Sequence, residues 1–537
     1  MEILKIENLS FKYPTDEKET LTDISFSVRE GDFVVLCGSS GCGKTTLMKL
    51  IKREIAPFGK VDGKIYFCGK DIETLSPRES ASEIGYVLQN PEAQIITDKV
   101  WHELAFGLEN LGYDRDYIRL RIGEMANYFG IAHTFRNSTA ELSGGQKQLL
   151  SLASVMAMSP SILLLDEPTS QLDPIAAADF IATLKKINRE LGTTVIIAEH
   201  RLEELFPIAD KVAVMDKGRL IAYDTPKAVC TSLACTPISA GFPTASKIFA
   251  ALGLEGEMPL TVREARAILK ASFEPRKAEL YKNEISKENA ISLSGVYFRY
   301  ERQRPDVLRG ISLDIKCGEL FCLLGANGAG KTTVLKALAG LIKPYSGKVI
   351  MHGKTAAMLP QNVLNVFIKN TVKEDIEDIL LCRGSSAAQA AKSALEIASK
   401  LGVAHLLGKH PYDLSGGEAQ KCAMAKILAA RPDILLLDEP TKAIDPAAKQ
   451  ELASILKELT KEGVTVFTVT HDVEFAAENA DRCALFFDGE ILTPSTPQKF
   501  FSANNFYTTA ASRISRGIFE NAVTANDIIK SAGGNVL

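Results

Sequence analysis

Short, continuous apolar runs recur along the chain and are separated by longer segments with helical spacing. The runs FVVLCG, SILLLD and TTVIIAEH in the first half are matched by FCLLGA, DILLLD and VTVFTVTH in the second half. Strands that are apolar on both faces are typical of parallel sheets covered by helices on each side. The pattern therefore predicts an α/β fold with a parallel sheet in each half.

A long internal repeat determines the architecture. The segment GSSGCGKTT returns as GANGAGKTT after 287 residues, whereas LLLDEPT returns after only 272 residues, so the second copy lacks 15 residues. Gln89 and Gln361 already show the shorter offset, which places the deletion between the Gly-rich segment and these glutamines. We expect the deletion to shorten a peripheral arm and to leave the repeated motifs intact.

The repeat divides the chain into four predicted segments. Residues 1–226 and 290–497 are the two copies, and residues 498–537 form a C-terminal tail. Between the copies, residues 227–289 contain a Pro- and Ser-containing stretch and then PLTVREARAILKA, which predicts a helical extension and a linker.

Composition excludes several classes of protein. The chain is 46% hydrophobic, but no apolar run approaches the roughly 18 residues of a membrane span. Its net charge of −4 lacks the basic excess of a dedicated nucleic-acid binder, so no nucleic-acid partner is expected. The ten cysteines include no Cys-x-x-Cys pair, and the N-terminus shows no targeting signal, which favours a reduced, cytoplasmic setting.

The Gly-x4-Gly-Lys-Thr pattern predicts phosphate binding in both copies. It places backbone N–H groups and a helix N-terminus around phosphate oxygens, with Lys44 or Lys331 reaching the terminal phosphates and Thr45 or Thr332 holding Mg²⁺. The predicted ATP-binding residues of the two loops are Gly38, Ser39, Ser40, Gly41, Cys42, Gly43, Lys44, Thr45 and Thr46, and Gly325, Ala326, Asn327, Gly328, Ala329, Gly330, Lys331, Thr332 and Thr333.

An acidic pair ends a buried strand in each copy and predicts the hydrolytic centre. Asp166 and Asp438 are expected to hold Mg²⁺, and Glu167 and Glu439 to polarise the attacking water, since phosphoryl transfer depends on positioning and charge. A histidine ends the next strand at matching places in the two copies. These histidines are predicted to contact the terminal phosphate and are His200 and His471.

The segments LSGGQ and LSGGE resemble the signature of the ATP-binding cassette (ABC) family. The resemblance implies two P-loop cassettes, each with a parallel-sheet core, an antiparallel β arm and a helical signature subdomain. It also implies that Gln89 and Gln361 act at the catalytic centre and on the metal, and that Tyr13 and Tyr300 stack on adenine. Core packing is the alternative for the two tyrosines.

In this family, the signature of one cassette closes over the nucleotide held by the other, and here one chain supplies both cassettes. The resemblance therefore implies two composite sites. The first combines Lys44, Gln89, Asp166, Glu167 and His200 with Ser415, Gly416 and Gly417. The second combines Lys331, Gln361, Asp438, Glu439 and His471 with Ser143, Gly144 and Gly145.

The stretch QNPEAQIITDKVWHELAFGLENLG resembles the energy-coupling factor (ECF) group of importers. That resemblance implies a vitamin or metal-ion importer on the cytoplasmic face of the membrane, with a transmembrane coupling subunit and a membrane substrate-capture subunit as partners. We expect the helices after the two glutamines, including Trp101 and Asp375, to contact the membrane partner. A sugar-importer ATPase and a ribosome-associated tandem-cassette protein are the alternatives.

Overall fold

The computed structural model describes residues 1–14, 17–279, 286–442, 444–505 and 507–534. Residues 280–285 of the predicted linker lie outside this description. The chain divides into two compact units, of which the first comprises Met1–Ala250 and Glu255–Thr261 and the second comprises Ala251–Leu254 and Val262–Leu537. Each unit is described by itself.

The first unit contains two sheets and nine helices of the α type among its described residues. The strands are β1 (Glu2–Lys12), β2 (Leu21–Arg29), β3 (Phe33–Gly38), β4 (Lys60–Phe67), β5 (Lys70–Asp71), β6 (Ile84–Val87), β7 (Ile162–Asp166), β8 (Thr194–Ala198), β9 (Lys211–Asp216) and β10 (Arg219–Asp224). The helices are α1 (Lys44–Ile51), α2 (Pro77–Glu83), α3 (Pro91–Gln94), α4 (Val100–Asn110), α5 (Arg115–Tyr128), α6 (Gly144–Ala157), α7 (Pro174–Leu191), α8 (Pro226–Ser232) and α9 (Thr244–Ala251).

The six-stranded sheet forms the core of this unit, in the order β10-β9-β3-β8-β7-β6. All neighbours in it are parallel except β9 and β10, and every residue of β7 and β8 is buried. Burial on both faces explains the uninterrupted apolar runs in the sequence. A second, antiparallel sheet has the order β2-β1-β4-β5.

The second unit repeats this plan. Its strands are β11 (Arg276–Lys277), β12 (Asn289–Phe298), β13 (Leu308–Lys316), β14 (Leu320–Leu324), β15 (Ser346–Ile350), β16 (Ala356–Leu359), β17 (Ile434–Asp438), β18 (Thr465–Thr470), β19 (Arg482–Phe487), β20 (Glu490–Ser495) and β21 (Phe519–Glu520). Its helices are α10 (Val262–Ser272), α11 (Lys331–Leu338), α12 (Val372–Cys382), α13 (Ala387–Lys400), α14 (Gly416–Ala429), α15 (Pro446–Lys461), α16 (Val473–Asn479), α17 (Pro497–Ala503), α18 (Ala510–Ser515) and α19 (Ala525–Ser531).

The six-stranded sheet of the second unit has the order β16-β17-β18-β14-β19-β20, which reproduces the arrangement of the first. Its antiparallel sheet has three strands, in the order β13-β12-β15, instead of four. The segment of the first unit that contains β5 and α2, before β6, has no counterpart between β15 and β16. This difference accounts for the shorter second copy, and the predicted α/β fold is confirmed.

The linker and the C-terminal tail pack together within the second unit. Helix α10 packs against α18, and strand β11 pairs in parallel with β21. Phe273 and Phe519 place their rings 5.8 Å apart at this contact. Segments on opposite sides of the second cassette in the chain thus form one small layer. No helix in the described part of the chain combines the length and the apolarity that a membrane crossing needs.

Asp375 is completely buried at the first turn of α12, with 0% of the residue exposed. Its carboxylate lies 2.5 Å from Lys426 Nζ on α14 and accepts the N–H groups of Ile368 and Lys369. The expectation that Asp375 contacts a partner was therefore wrong, because its side chain is buried and hydrogen-bonded to residues of its own unit. In the first unit, Glu103 accepts the corresponding N–H groups of Ile96 and Thr97.

The Asp375–Lys426 pair yields a test of local stability. Asp375→Asn leaves a buried cation unpaired, so we expect opening of α12 to become easier by about 3 kcal/mol. Hydrogen exchange measured over Val372–Cys382 should show reduced protection. The double variant Asp375→Asn/Lys426→Met should recover most of it, because no buried charge remains.

The control for this test is Lys392→Met, which removes an exposed lysine that lies 3.9 Å from Glu396 and should leave the exchange unchanged. Unaltered protection of α12 in Asp375→Asn would contradict the proposed role of the buried pair.

Candidate functional site

The Gly-rich loop of the first unit connects β3 to α1, which begins at Lys44. Lys44 Nζ donates to the carbonyl oxygens of Gly38 and Ser39, at 3.0 Å each, and the side chain is buried. Gly38 has φ 146°, and a Cβ there would lie 2.1 Å from Met215 O. Only glycine fits this position, so the backbone of the loop folds tightly around the lysine ammonium.

The loop of the second unit has the same form. Lys331 Nζ lies 2.8 Å from Gly325 O and 3.0 Å from Ala326 O. Gly330 precedes α11 with φ 116°, and a Cβ there would lie 2.8 Å from Val307 Cγ1. Both loops therefore offer the glycine cradle and the helix N-terminus that phosphate binding requires.

A hydroxyl and a carboxylate oxygen lie side by side next to each loop. Thr45 Oγ1 donates to Asp166 Oδ1 at 3.0 Å, and Thr332 Oγ1 donates to Asp438 Oδ1 at 3.2 Å. Burial raises the pKa of both aspartates, and the charge of Glu167 raises the pKa of Asp166 further. Oxygen ligands whose negative charge is disfavoured by burial fit Mg²⁺, because a bound cation would relieve that cost.

Glu167 and Glu439 follow these aspartates in the left-handed backbone region, with φ values of 44° and 51°. Each donates its N–H to the neighbouring strand, Glu167 to Ala198 O and Glu439 to Val469 O, both at 2.9 Å. A non-glycine residue in this conformation is strained and needs support from its surroundings. Here the interstrand hydrogen bond gives such support, and each carboxylate lies beside the histidine that follows the next strand.

The two glutamates have different side-chain partners. Glu167 accepts from Gln89 Nε2 at 2.9 Å and lies 3.0 Å from His200 Nε2. Glu439 lies 2.8 Å from His471 Nδ1 and accepts the N–H of the same histidine at 3.2 Å.

Glu439 also lies 3.4 Å from the Lys331 ammonium. Burial opposes its ionisation, but His471 and Lys331 outweigh that effect and hold the pKa of Glu439 below its usual value. No hydrogen bond joins the exposed Gln361 side chain to any residue that the structure describes. The second unit thus brings Glu439 and His471 together without Gln361, whereas the first unit includes Gln89.

The two candidate adenine-stacking tyrosines are equivalent in the structure. Tyr13 OH lies 3.1 Å from Thr46 Oγ1, and Tyr300 OH lies 3.1 Å from Thr333 Oγ1. Tyr13 is only partly buried, and Tyr300 is 55% exposed, so neither ring is a fully buried core residue. Each ring is anchored beside its Gly-rich loop and keeps an accessible surface.

The signature segments lie at the N-termini of α6 and α14. Ser143 N–H donates to Gln146 Oε1 at 2.9 Å, whereas Ser415 donates both its N–H and its hydroxyl to Glu418 Oε2, at 2.9 and 2.8 Å. A Cβ at Gly144 would meet nothing within 4 Å. Packing within the first unit therefore does not require this glycine.

One buried carboxylate beside the first site was not predicted. Glu199 precedes His200, and its carboxylate accepts hydrogen bonds from Thr169 and from the His200 backbone. The sequence contains a signal for it, because TTVIIAEH has a glutamate where VTVFTVTH has Thr470. The first copy therefore has a carboxylic acid, Glu199, where the second copy has the hydroxyl of Thr470.

Comparisons with known proteins agree with this geometry. The family model described as "ABC transporter" matches residues 21–170 and 308–442. A second model, described as "AAA domain, putative AbiEii toxin, Type IV TA system", matches residues 409–477.

Two relatives carry the name "Putative ABC transporter ATP-binding protein". One, from Bacillus thuringiensis subsp. konkukian, is 39% identical over 549 residues, which cover 99% of each chain. The other, from Streptomyces avermitilis, is 33% identical and covers 95% of this chain and 97% of its own. Among solved structures, an archaeal ribosome recycling factor, aABCE1, in complex with the ribosomal stalk protein aP1 shares the fold. It has a TM-score of 0.60, 21% identity, and coverage of 92% of this chain and 91% of its own.

Proposed function

Because the chain belongs to the ABC transporter family, we propose that it is the ATP-hydrolysing subunit of an importer of the ECF type. The chain is an ATP-binding ABC protein with two cassettes and is an ATPase. The ATPase part of the proposal is carried by one observation: each unit brings a Gly-rich loop, an oxygen pair and a glutamate–histidine pair to the carboxyl ends of its parallel strands. That edge is where ligands bind in open α/β sheets. The importer type is proposed from the sequence pattern after Gln89.

We propose the following roles in hydrolysis. The loop N–H groups hold the phosphates of ATP, and Lys44 and Lys331 leave their loop carbonyls to meet the terminal phosphates. Thr45 with Asp166, and Thr332 with Asp438, would hold Mg²⁺, which neutralises charge on the phosphates.

Glu167 and Glu439 are proposed to orient the attacking water. His200 and His471, which lie beside these glutamates, are proposed to contact the terminal phosphate. Gln89 and Gln361 are proposed to sense the terminal phosphate, with Gln89 already bonded to Glu167. Tyr13 and Tyr300 are proposed to stack on adenine.

Each site is proposed to be completed by the signature of the other cassette, as the family resemblance implies. Ser415, Gly416 and Gly417 serve the site of Lys44, and Ser143, Gly144 and Gly145 serve the site of Lys331. The support is the resemblance of LSGGQ and LSGGE to the family signature.

The proposed partner is a membrane coupling subunit, with a membrane substrate-capture subunit that delivers a vitamin or a metal ion. The support is the sequence pattern after Gln89, which runs from the short helix α3 into α4. Exposed apolar side chains lie in the same region: Ile96 is 70% exposed and Trp101 is 40% exposed, and Ile368 in the second unit is 73% exposed. Such side chains suit a partner surface. The proposed location is the cytoplasmic face of the membrane.

Two alternatives differ in their partners. A sugar-importer ATPase would share the tandem cassettes but not the pattern from Gln-Asn-Pro to AFGLEN. A ribosome-associated protein has a specific observation in its favour, the fold shared with the recycling factor, but that likeness concerns the fold alone.

The first test concerns the water-orienting glutamates. We expect the double variant Glu167→Gln/Glu439→Gln to bind ATP with wild-type affinity and to lose at least about 100-fold in turnover, because the amide cannot polarise water as a carboxylate does. Turnover is measured as phosphate release and binding with a fluorescent ATP analogue. Glu190→Gln, at an exposed ion pair on α7, is the matched control. Turnover near the wild-type rate in the double variant would refute the assignment.

The second test concerns the partner. A photo-crosslinking amino acid at Trp101 or Ile368 should capture a membrane protein in native membranes, because both side chains are exposed beside the proposed coupling surface. The control position is Leu191, which is 58% exposed at the end of α7. Capture of ribosomal proteins instead of a membrane protein would favour the ribosome-associated alternative.

The third test concerns the equality of the two sites. Lys442 replaces Ser170 after the second acidic pair, and Glu418 replaces Gln146 in the second signature. The Ser415 hydroxyl is engaged by the Glu418 carboxylate. We therefore expect Glu167→Gln and Glu439→Gln, as single variants, to leave different residual hydrolysis rates. Equal residual rates would contradict the inequality, and complete loss in only one variant would show a single working site.

A further inference from the structure

We infer that Glu199 is a positioning residue of the first ATP site, without an equivalent in the second. The inference rests on the proposed role of Glu167 and adds a residue that holds the surroundings of that glutamate in place. Glu199 follows β8, one residue before His200, and is 2% exposed.

The carboxylate of Glu199 joins two loops. Its Oε1 accepts the backbone N–H of Thr169 at 2.8 Å and the Thr169 hydroxyl at 2.6 Å. Its Oε2 accepts the backbone N–H of His200 at 3.1 Å. One side chain therefore ties the loop after Glu167 to the histidine that contacts Glu167.

This connection is buried and uses both oxygens of the carboxylate. Hydrogen bonds are electrostatically stronger in the low dielectric of a protein interior than in water. The Glu199 backbone N–H donates to Leu36 O, in the strand that leads into the Gly-rich loop. The backbone of Glu199 is thus bonded to the central sheet, and its side chain is bonded to Thr169 in one loop and to the His200 backbone in the other.

The second unit has Thr470 at this position, and its hydroxyl cannot make the same connection. Thr470 Oγ1 lies 3.5 Å from Thr441 Oγ1, the counterpart of the Thr169 hydroxyl. It accepts the N–H of Asp472, and the N–H of His471 donates to Glu439 instead. The proposed catalytic glutamate of the second site thus makes the hydrogen bond that Glu199 makes in the first.

The consequence is a different arrangement of each proposed catalytic carboxylate. In the first unit, the backbone N–H of His200 is satisfied by Glu199, and Glu167 bonds to Gln89 and to the Nε2 side of the ring. In the second unit, the Glu439 carboxylate accepts the backbone N–H of His471 and lies 3.4 Å from the Lys331 ammonium. Glu199 therefore prepares Glu167 for interaction with the phosphate-sensing glutamine, which is positioning and not direct catalysis.

The experiment measures the first site separately. In the full chain carrying Glu439→Gln, single-turnover cleavage of labelled ATP in the presence of Mg²⁺ is measured. The chain that retains Glu199 is compared with Glu199→Thr and Glu199→Gln. The same series is measured in parallel with both glutamates intact. ATP affinity and the thermal unfolding midpoint are recorded for each variant.

We expect Glu199→Thr, which copies the second unit, to slow cleavage by about 10-fold while ATP affinity changes by less than about 2-fold. Glu199→Gln should be intermediate, because its amide oxygen can still accept from Thr169 but its NH₂ cannot accept from His200. The isosteric glutamine also protects the test against a simple failure to fold.

Three results would overturn the inference. The first is an unchanged cleavage rate in Glu199→Thr, and the second is an equal rate in Glu199→Thr and Glu199→Gln. The third is a loss of cleavage rate accompanied by equal losses of ATP affinity and thermal stability. Failure of the proposed function is distinguishable. If the variant Glu167→Gln/Glu439→Gln still cleaves ATP, the role of Glu167 is wrong whatever the Glu199 series shows.

Discussion

One backbone hydrogen bond supports each candidate site: the bond that Glu167 donates to Ala198 O, and that Glu439 donates to Val469 O. It joins the ends of two buried parallel strands and holds the glutamate in the left-handed region. Because the strands are in register, the aspartate, the glutamate and the following histidine arrive at one edge of the sheet. A strained backbone conformation persists only where its surroundings support it, and this bond is part of that support.

The two copies share this backbone arrangement and differ in the side chains attached to it. Backbone geometry tolerates little change at two glycines of each loop. A Cβ at Gly38, Gly43, Gly325 or Gly330 would lie less than 3 Å from a carbonyl oxygen or a side chain. Side chains next to the glutamates are less restricted, and here they have diverged in charge, as Glu199 and Thr470 do. A duplicated ATPase can therefore acquire two different sites while both retain the same fold.

Much of this organisation could be predicted from the sequence, because the motifs make local contacts. Lys44 bonds to carbonyls five and six residues away, so nine consecutive letters predict the loop. Contacts between distant segments were harder to foresee. Asp375 resembles a surface acid in the sequence, yet it is buried because Lys426, 51 residues later, lies against it. The role of Glu199 depends on Thr169, which the sheet brings close from 30 residues away.

The contact between the linker and the tail has a consequence for how the chain can be divided. Helix α10 and strand β11 come before the second cassette, but they pack against α18 and β21, which come after it. A fragment that begins at residue 290, where the second copy of the repeat begins, would lack α10 and β11, which pack against α18 and β21. Because the second unit comprises Ala251–Leu254 and Val262–Leu537, a fragment that keeps this layer whole has to begin before residue 290, within the linker.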